Sequence, residues 1–187
     1  MFCKSKFCTF CHGYDHTSKE CKIEKKTAEQ LKLSVGNMME YFVEQNIKCP
    51  ECNCNTLCVI GNNTPSCDII CNNCNKIFEI KSKCLSCTII PDDIIINHGH
   101  YNKFLSKIYE GLNIIIIIYS VDRYNKSITI REILYINNTL LSNYKLINIS
   151  KKKDNNTLIT IKNRKILNKL LLYNNNTISF KDEISLN

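Results

Sequence analysis

The sequence predicts an α+β fold built around a metal-clamped hairpin. Three observations carry this expectation. Two Cys-x2-Cys pairs, Cys49/Cys52 and Cys71/Cys74, bracket eighteen residues within CPECNCNTLCVIGNNTPSCDIICNNCNKIFEIK. One amphipathic helical pattern precedes this stretch and another follows it. An apolar run from Leu112 to Tyr119, interrupted by Asn113, then reads as a buried strand, much too short to span a bilayer.

The elements follow in order. Residues 1–22 carry Cys3, Cys8, Cys11 and Cys21 with little aliphatic content, so they need a metal in place of a core. Thr27-Ala28-Glu29-Gln30 fits a capping box, with Thr27 as N-cap. Leu31, Val35, Met38, Met39, Phe42 and Val43 recur at helical spacing, and the helix should end near Asn46. Thr56–Ile60 reads as a strand and Gly61-Asn62-Asn63 as a turn. Cys67–Ile70 and Lys76–Lys83 form a predicted hairpin closed by Cys71-Asn72-Asn73-Cys74. A second helix is expected over Gly99–Glu110, with Tyr101, Phe104, Leu105 and Ile108 on one face and Gly111 ending it. Asn113–Ser120 and Ser127–Ile136 are the next strands. Lys151–Asp154 reads as a solvated turn, Thr157–Ile161 as a strand and Lys165–Tyr173 as a short helix. The expected organisation is a small module at 1–22, a main domain at 23–150 and an extension at 151–187.

Composition narrows the function classes. A formal charge of +8 over 187 residues favours an anionic partner, most commonly nucleic acid. Thirteen cysteines, an odd number, and no apolar segment at the start argue against an oxidised secreted scaffold. They predict a reduced, intracellular zinc protein without a membrane segment.

Three constellations carry chemistry. Cys8, Cys11, His16 and Cys21 have the spacing Cys-x2-Cys-x4-His-x4-Cys. Three thiolates and one imidazole fill a tetrahedral zinc shell. Cys49, Cys52, Cys71 and Cys74 form a second set, whose four protein ligands leave no open position and so imply a structural zinc. The third constellation is Asp68 with Glu79-Ile80-Lys81. Residues two apart share a strand face, so Glu79 and Lys81 point one way and Phe78 and Ile80 the other. A hairpin centred between Asn72 and Asn73 sets Asp68 roughly opposite that doublet. Two carboxylates there can hold Mg²⁺, and Lys81 can orient a water or stabilise developing charge. Cys84 and Cys87 with His98 and His100 are a weaker third set. His98-Gly99-His100 otherwise reads as a loop or cap before the second helix, with phosphate contact as the alternative, and Lys103 and Lys107 as a solvated face by default, with a phosphate track as the alternative.

The first constellation resembles the zinc knuckle of retroviral nucleocapsid proteins. That resemblance implies contact with single-stranded nucleic acid through Phe10 and Tyr14. The helix, three strands, helix, strand order resembles the core of the PD-(D/E)xK nucleases. The ribbon joined to Asp-x2-Cys-x2-Cys-x4-Glu-x-Lys resembles the catalytic domain of the DpnI restriction endonuclease family, over about residues 48–136. The family resemblance implies catalytic roles for Asp68, Glu79 and Lys81, zinc on the four ribbon cysteines, and Mg²⁺-dependent hydrolysis of DNA. That family's winged helix is not expected after residue 136, so methylation dependence does not carry over. The rival reading is a non-enzymatic ribbon-and-knuckle protein that binds nucleic acid as a transcription factor would; a protein-binding adaptor is the third.

Overall fold

Apolar side chains recur at Met39, Phe42 and Val43 on the last turns of helix α1 (Lys25–Asn46), and all three are buried, as is Ile47 just beyond. This periodicity is the helical one read from the sequence, although the helix begins ahead of Thr27. The structure is a computed structural model that describes residues 25–60, 67–85, 89–122, 127–142, 147–170 and 177–179. The chain divides into two units, Met1–Met38 and Met39–Asn187. In the first unit the described residues belong to α1. The second holds the sheets, and the description below concerns it alone.

Strands β1 (Leu57–Val59), β2 (Ile69–Cys71) and β3 (Ile77–Cys84) pair antiparallel in sequence order. Strand β4 (Ile94–His100) leaves that sheet, and helix α2 (Tyr101–Tyr109) leads back to β5 (Asn113–Asp122), which pairs parallel to β3. Strand β6 (Ser127–Ile136) returns antiparallel beside β5. After the one-turn helix α3 (Asn138–Leu141) come β7 (Ile147–Lys151), β8 (Asn156–Ile161), β9 (Asn168–Lys169) and β10 (Thr177–Ser179). The main sheet runs β1-β2-β3-β5-β6-β10, with β9 also on β6, and a second sheet runs β4-β8-β7. The result is a mixed α+β fold dominated by strands. No helix among the described residues is long and apolar enough to cross a membrane.

The core explains why β5 is central. Ile114 through Ile118 are all fully buried, the signature of a strand covered on both faces. On one face Ile114, Ile116 and Ile118 join Ile94 and Ile96 of β4, Ile159 and Ile161 of β8, Ile147 of β7 and Phe104 of α2. The parallel register sets Glu79 beside Ile114 and Lys81 beside Ile116, so the charged doublet lies on this same inter-sheet face. Phe78 points to the other face, against the ring of Tyr135.

Asn113 is a buried polar joint. Its amide donates to the Ile77 and Gly111 carbonyls, and its oxygen accepts from Asn138 N at 3.0 Å and lies 3.1 Å from Tyr135 Oη. Arg164 is a second joint. It donates twice to Glu132 of β6, at 2.7 and 2.9 Å, and to the carbonyls of Ile90 and Pro91.

Three expectations are corrected. The hairpin pairs Ile69 with Phe78 and Ile70 with Ile77, which moves its centre one residue on, between Asn73 and Cys74. Asn75, at φ 56°, donates to the Cys71 carbonyl and lengthens the turn. Second, the helix expected from Gly99 starts at Tyr101. Ile94–His100 is a strand whose alternating burial matches pairing with β8. Third, the helix expected over Lys165–Tyr173 is a 3-10 turn, Arg164–Ile166, followed by β9. There the Arg164 clasp and the Leu170 N–H to Ile133 carbonyl bond outweigh a weak helical pattern; residues 171–173 lie outside the described residues.

Asn113→Leu should therefore destabilise the protein by about 1–3 kcal/mol for each buried partner left unpaired. The check is a lower urea midpoint at unchanged slope. Lys103→Ala, on the exposed side of α2, should stay within about 0.5 kcal/mol.

Candidate functional site

The ribbon cysteines converge as their spacing requires. The ligating atoms of Cys49, Cys52, Cys71 and Cys74 all lie within 4.8 Å of one another, the one such metal-ligand group of three or more among the described residues. The Cys49–Cys74 and Cys52–Cys71 sulfur pairs are 3.6 Å apart. A tetrahedron with zinc–sulfur bonds of about 2.3 Å has edges of about 3.8 Å, so the set fits zinc. Two matching turns build it. In each, an Asn four residues after the first Cys adopts positive φ and donates its N–H back to that Cys carbonyl: Asn53 to Cys49 and Asn75 to Cys71, both at 2.8 Å. Asn and the left-handed region go together because its side chain tolerates that backbone. Asn72 N bonds the Thr56 carbonyl, tying one turn to the other.

Electrostatics inside the cluster are divided. Burial opposes ionisation of Cys71, but the Thr56 hydroxyl and the Cys74 and Asn73 N–H groups outweigh it and bring this thiol down to about 6. Burial pushes the Cys49 thiol up. Thiolates gathered this closely are what a bound cation stabilises. Cys71→Ser should lower zinc content by one ion per chain in elemental analysis. Zinc retention should fall as pH is lowered, because protons compete with the metal for the four thiolates; a zinc-sensitive dye followed against pH is the check.

The second constellation meets across the ribbon-closed hairpin. Asp68 N bonds the Phe78 carbonyl at 3.1 Å, and Ile80 N donates to Asp68 Oδ2 at 2.7 Å, which fixes the carboxylate beside β3. Lys81 Nζ lies 2.7 Å from Glu79 Oε1, so these two side chains share a face. Burial and the Glu79 charge push the Asp68 carboxyl up. Burial acts the same way on Glu79, but His98, Lys81 and Lys107 overcome it and hold the Glu79 carboxyl well below its usual range. The acid whose charge is poorly compensated, Asp68, is thus next to one that is firmly ionised. That asymmetry suits a hard cation sharing both, and Mg²⁺ commonly needs one or two carboxylates, the rest being water and phosphate.

The structure adds residues that sequence reasoning did not place here. His98 lies on the inner face of β4, with Nε2 3.0 Å from Glu79 Oε1 but off the line of a good hydrogen bond; its Nδ1 has no hydrogen-bond partner among the described residues. Its ring packs on Phe104 at 4.2 Å. Lys107, expected on a solvated face, donates to Glu79 Oε2 at 2.8 Å. Glu40 of α1 is pushed up by burial first and the Asp68 charge second, so it belongs to the same electrostatic neighbourhood. The one signal available for His98 was its position two residues after Ile96 in an alternating strand. His100 instead contacts Asn155. Cys84 is described but Cys87 is not, so that candidate set lies partly outside the described residues. Cys8, Cys11, His16 and Cys21, with Phe10 and Tyr14, lie wholly outside them.

Comparison with known proteins brings one family forward. The family model described as DpnI, the Dam-replacing family, matches residues 16–184. The match reaches beyond residues 48–136 on both sides and takes in both sheets. No curated protein matches the chain. The family is restriction-endonuclease-like, which ties the chain to a nuclease-like, DNA-related function and a DNA partner. By this match over most of its length, the chain belongs to the Dam-replacing, DpnI family.

Proposed function

We propose that the chain is a Mg²⁺-dependent endonuclease that hydrolyses phosphodiester bonds of DNA through a PD-(D/E)xK core. The observation that carries this reading is the shared face of Glu79 and Lys81, with Asp68 fixed opposite by the Ile80 N–H. The order α1, β1–β3, α2, β5 supports the same core, with β4 as an added strand before α2. Family membership supports DNA as substrate.

The division of labour follows from the side chains. Asp68 and Glu79 would hold the divalent ion through hard oxygens. When bound, such an ion polarises a phosphate and lowers the pKa of a water. Lys81, its side chain 22 % exposed, brings an ammonium to the edge of the pair, where it can orient the attacking water or stabilise negative charge developing on phosphate. Glu40 adds a third carboxylate whose charge keeps the region attractive to cations. The ribbon zinc keeps the hairpin closed and takes no part in the chemistry. Within the division 1–22, 23–150 and 151–187, the knuckle would hold a second zinc and act as a tethered single-strand binder, while after residue 150 β8 joins the second sheet and β9 and β10 the main one.

Two measurements test this reading. Asp68→Asn and Lys81→Met should each reduce Mg²⁺-dependent cleavage of plasmid DNA by about 10²–10³-fold or more, with zinc content and DNA binding retained. Persistent cleavage in both would place catalysis elsewhere, and DNA binding without any cleavage by the parent protein would favour the non-enzymatic ribbon protein. Replacing Phe10 and Tyr14 together by Ala should weaken single-strand binding by about 1–3 kcal/mol per stacked base, measured at fixed salt. Unchanged affinity would assign the knuckle to a protein partner or a structural cap.

A further inference from the structure

Glu79 carries more positive partners than a metal-binding carboxylate needs. A carboxylate offers about four lone-pair sites over its two oxygens. Lys81 Nζ and His98 Nε2 crowd Oε1 at 2.7 and 3.0 Å, while Lys107 Nζ sits on Oε2 at 2.8 Å. Lys81 already balances the Glu79 charge from the same strand. Lys107 reaches in from a separate element, helix α2, twenty-eight residues along the chain. Its side chain is 19 % exposed, against 8 % for Glu79 and 6 % for His98, so Lys107 reaches the surface from which a ligand would arrive more than either of those partners does. A second ammonium is surplus for folding Glu79 into the sheet interface. It is not surplus for a reaction that brings in a phosphodiester and then builds further negative charge on its oxygens.

We propose that Lys107 is a second catalytic lysine, which occupies Glu79 Oε2 in the resting protein and exchanges it for a non-bridging phosphate oxygen of the substrate. This rests on the nuclease reading. Lys107 makes and breaks no covalent bond. In the hydrolysis the water oxygen forms the new P–O bond, a sugar oxygen departs and gains a proton, and Lys107 keeps its own proton throughout. Lys81, hydrogen-bonded to Oε1, keeps the Glu79 carboxylate in place while Lys107 leaves it, with the ring of His98 packed beside it against Phe104.

The exchange has a consequence that a purely structural tie lacks. While Lys107 stays on Oε2, its charge opposes a divalent cation at the same carboxylate. Removing it should strengthen cation binding and weaken cleavage, two effects of opposite sign. The test uses the full chain with its ribbon zinc in place. Mn²⁺ affinity is measured by calorimetry without DNA, and single-turnover cleavage of plasmid DNA is measured at saturating Mn²⁺. Lys107→Met should bind Mn²⁺ about tenfold more tightly or better and cleave about 10²-fold more slowly. Lys107→Arg, which keeps the charge, should show Mn²⁺ affinity like the parent and an intermediate cleavage rate. If Met at this half-buried position prevents folding, Lys107→Gln carries the same two readouts. Unchanged or weaker Mn²⁺ binding in the charge-removing variant overturns the proposal, as does cleavage at the parent rate. A parent protein that binds Mn²⁺ but cleaves nothing overturns the nuclease reading and this role with it. A cleaving parent whose variant shows neither change overturns the role of Lys107 alone.

Discussion

A charged carboxylate buried between two aliphatic sheets governs the architecture around it. Glu79 sits beside Ile114, on the face where β5 meets β4 and β8. An unpaired charge in such surroundings is not tolerated. Its partners therefore come from three elements: Lys81 from its own strand, His98 from β4 and Lys107 from α2. Each of those elements is anchored in turn. His98 lies next to the irregularity between His98 and His100, where Thr157 of β8 bonds the Gly99 carbonyl. Phe104, one helical turn before Lys107, is fully buried in the inter-sheet core. The second sheet thus does more than cover the first, since it delivers one of the groups that make the buried charge possible.

The other end of the hairpin is held by sulfur. The four cysteines close the turn between β2 and β3, and Glu51, between the first two of them, accepts a hydrogen bond from Tyr135. The same Tyr135 hydroxyl lies 3.1 Å from Asn113 Oδ1, at the start of the strand that pairs with β3. Zinc site, hairpin and central strand are therefore linked by one short polar chain through the core. A metal in the ribbon would act on the position of Asp68 and Glu79 by fixing the strands that carry them, at a distance from any chemistry.

Much of this was legible in the sequence because it is local. The Cys-x2-Cys pairs, the apolar run of β5 and the helical spacing of Met39, Phe42 and Val43 each declare themselves within a few residues. The shared face of Glu79 and Lys81 follows from strand geometry alone. What was not legible depends on partners far along the chain. Ile94–His100 became a strand because β8, some sixty residues later, offers its edge. His98 and Lys107 acquired Glu79 as partner through that pairing and through the return of α2 over the sheet, neither of which leaves a pattern near those residues. The hairpin centre moved by one residue because Asn75 tolerates a left-handed backbone, which lengthened the turn. Arg164 displaced an expected helix through a bidentate bond to Glu132 that no local pattern encodes.

The central claim is that Asp68 and Glu79 form a single divalent-cation site. Anomalous scattering from crystals of the zinc-loaded protein grown with Mn²⁺ tests it most directly, since manganese and zinc are distinguished by their absorption edges. The account predicts a manganese peak within about 2–2.5 Å of an oxygen of each carboxylate, with zinc confined to cysteine-ligated sites. A manganese peak bound to neither acid, or none at all at high Mn²⁺, would contradict it.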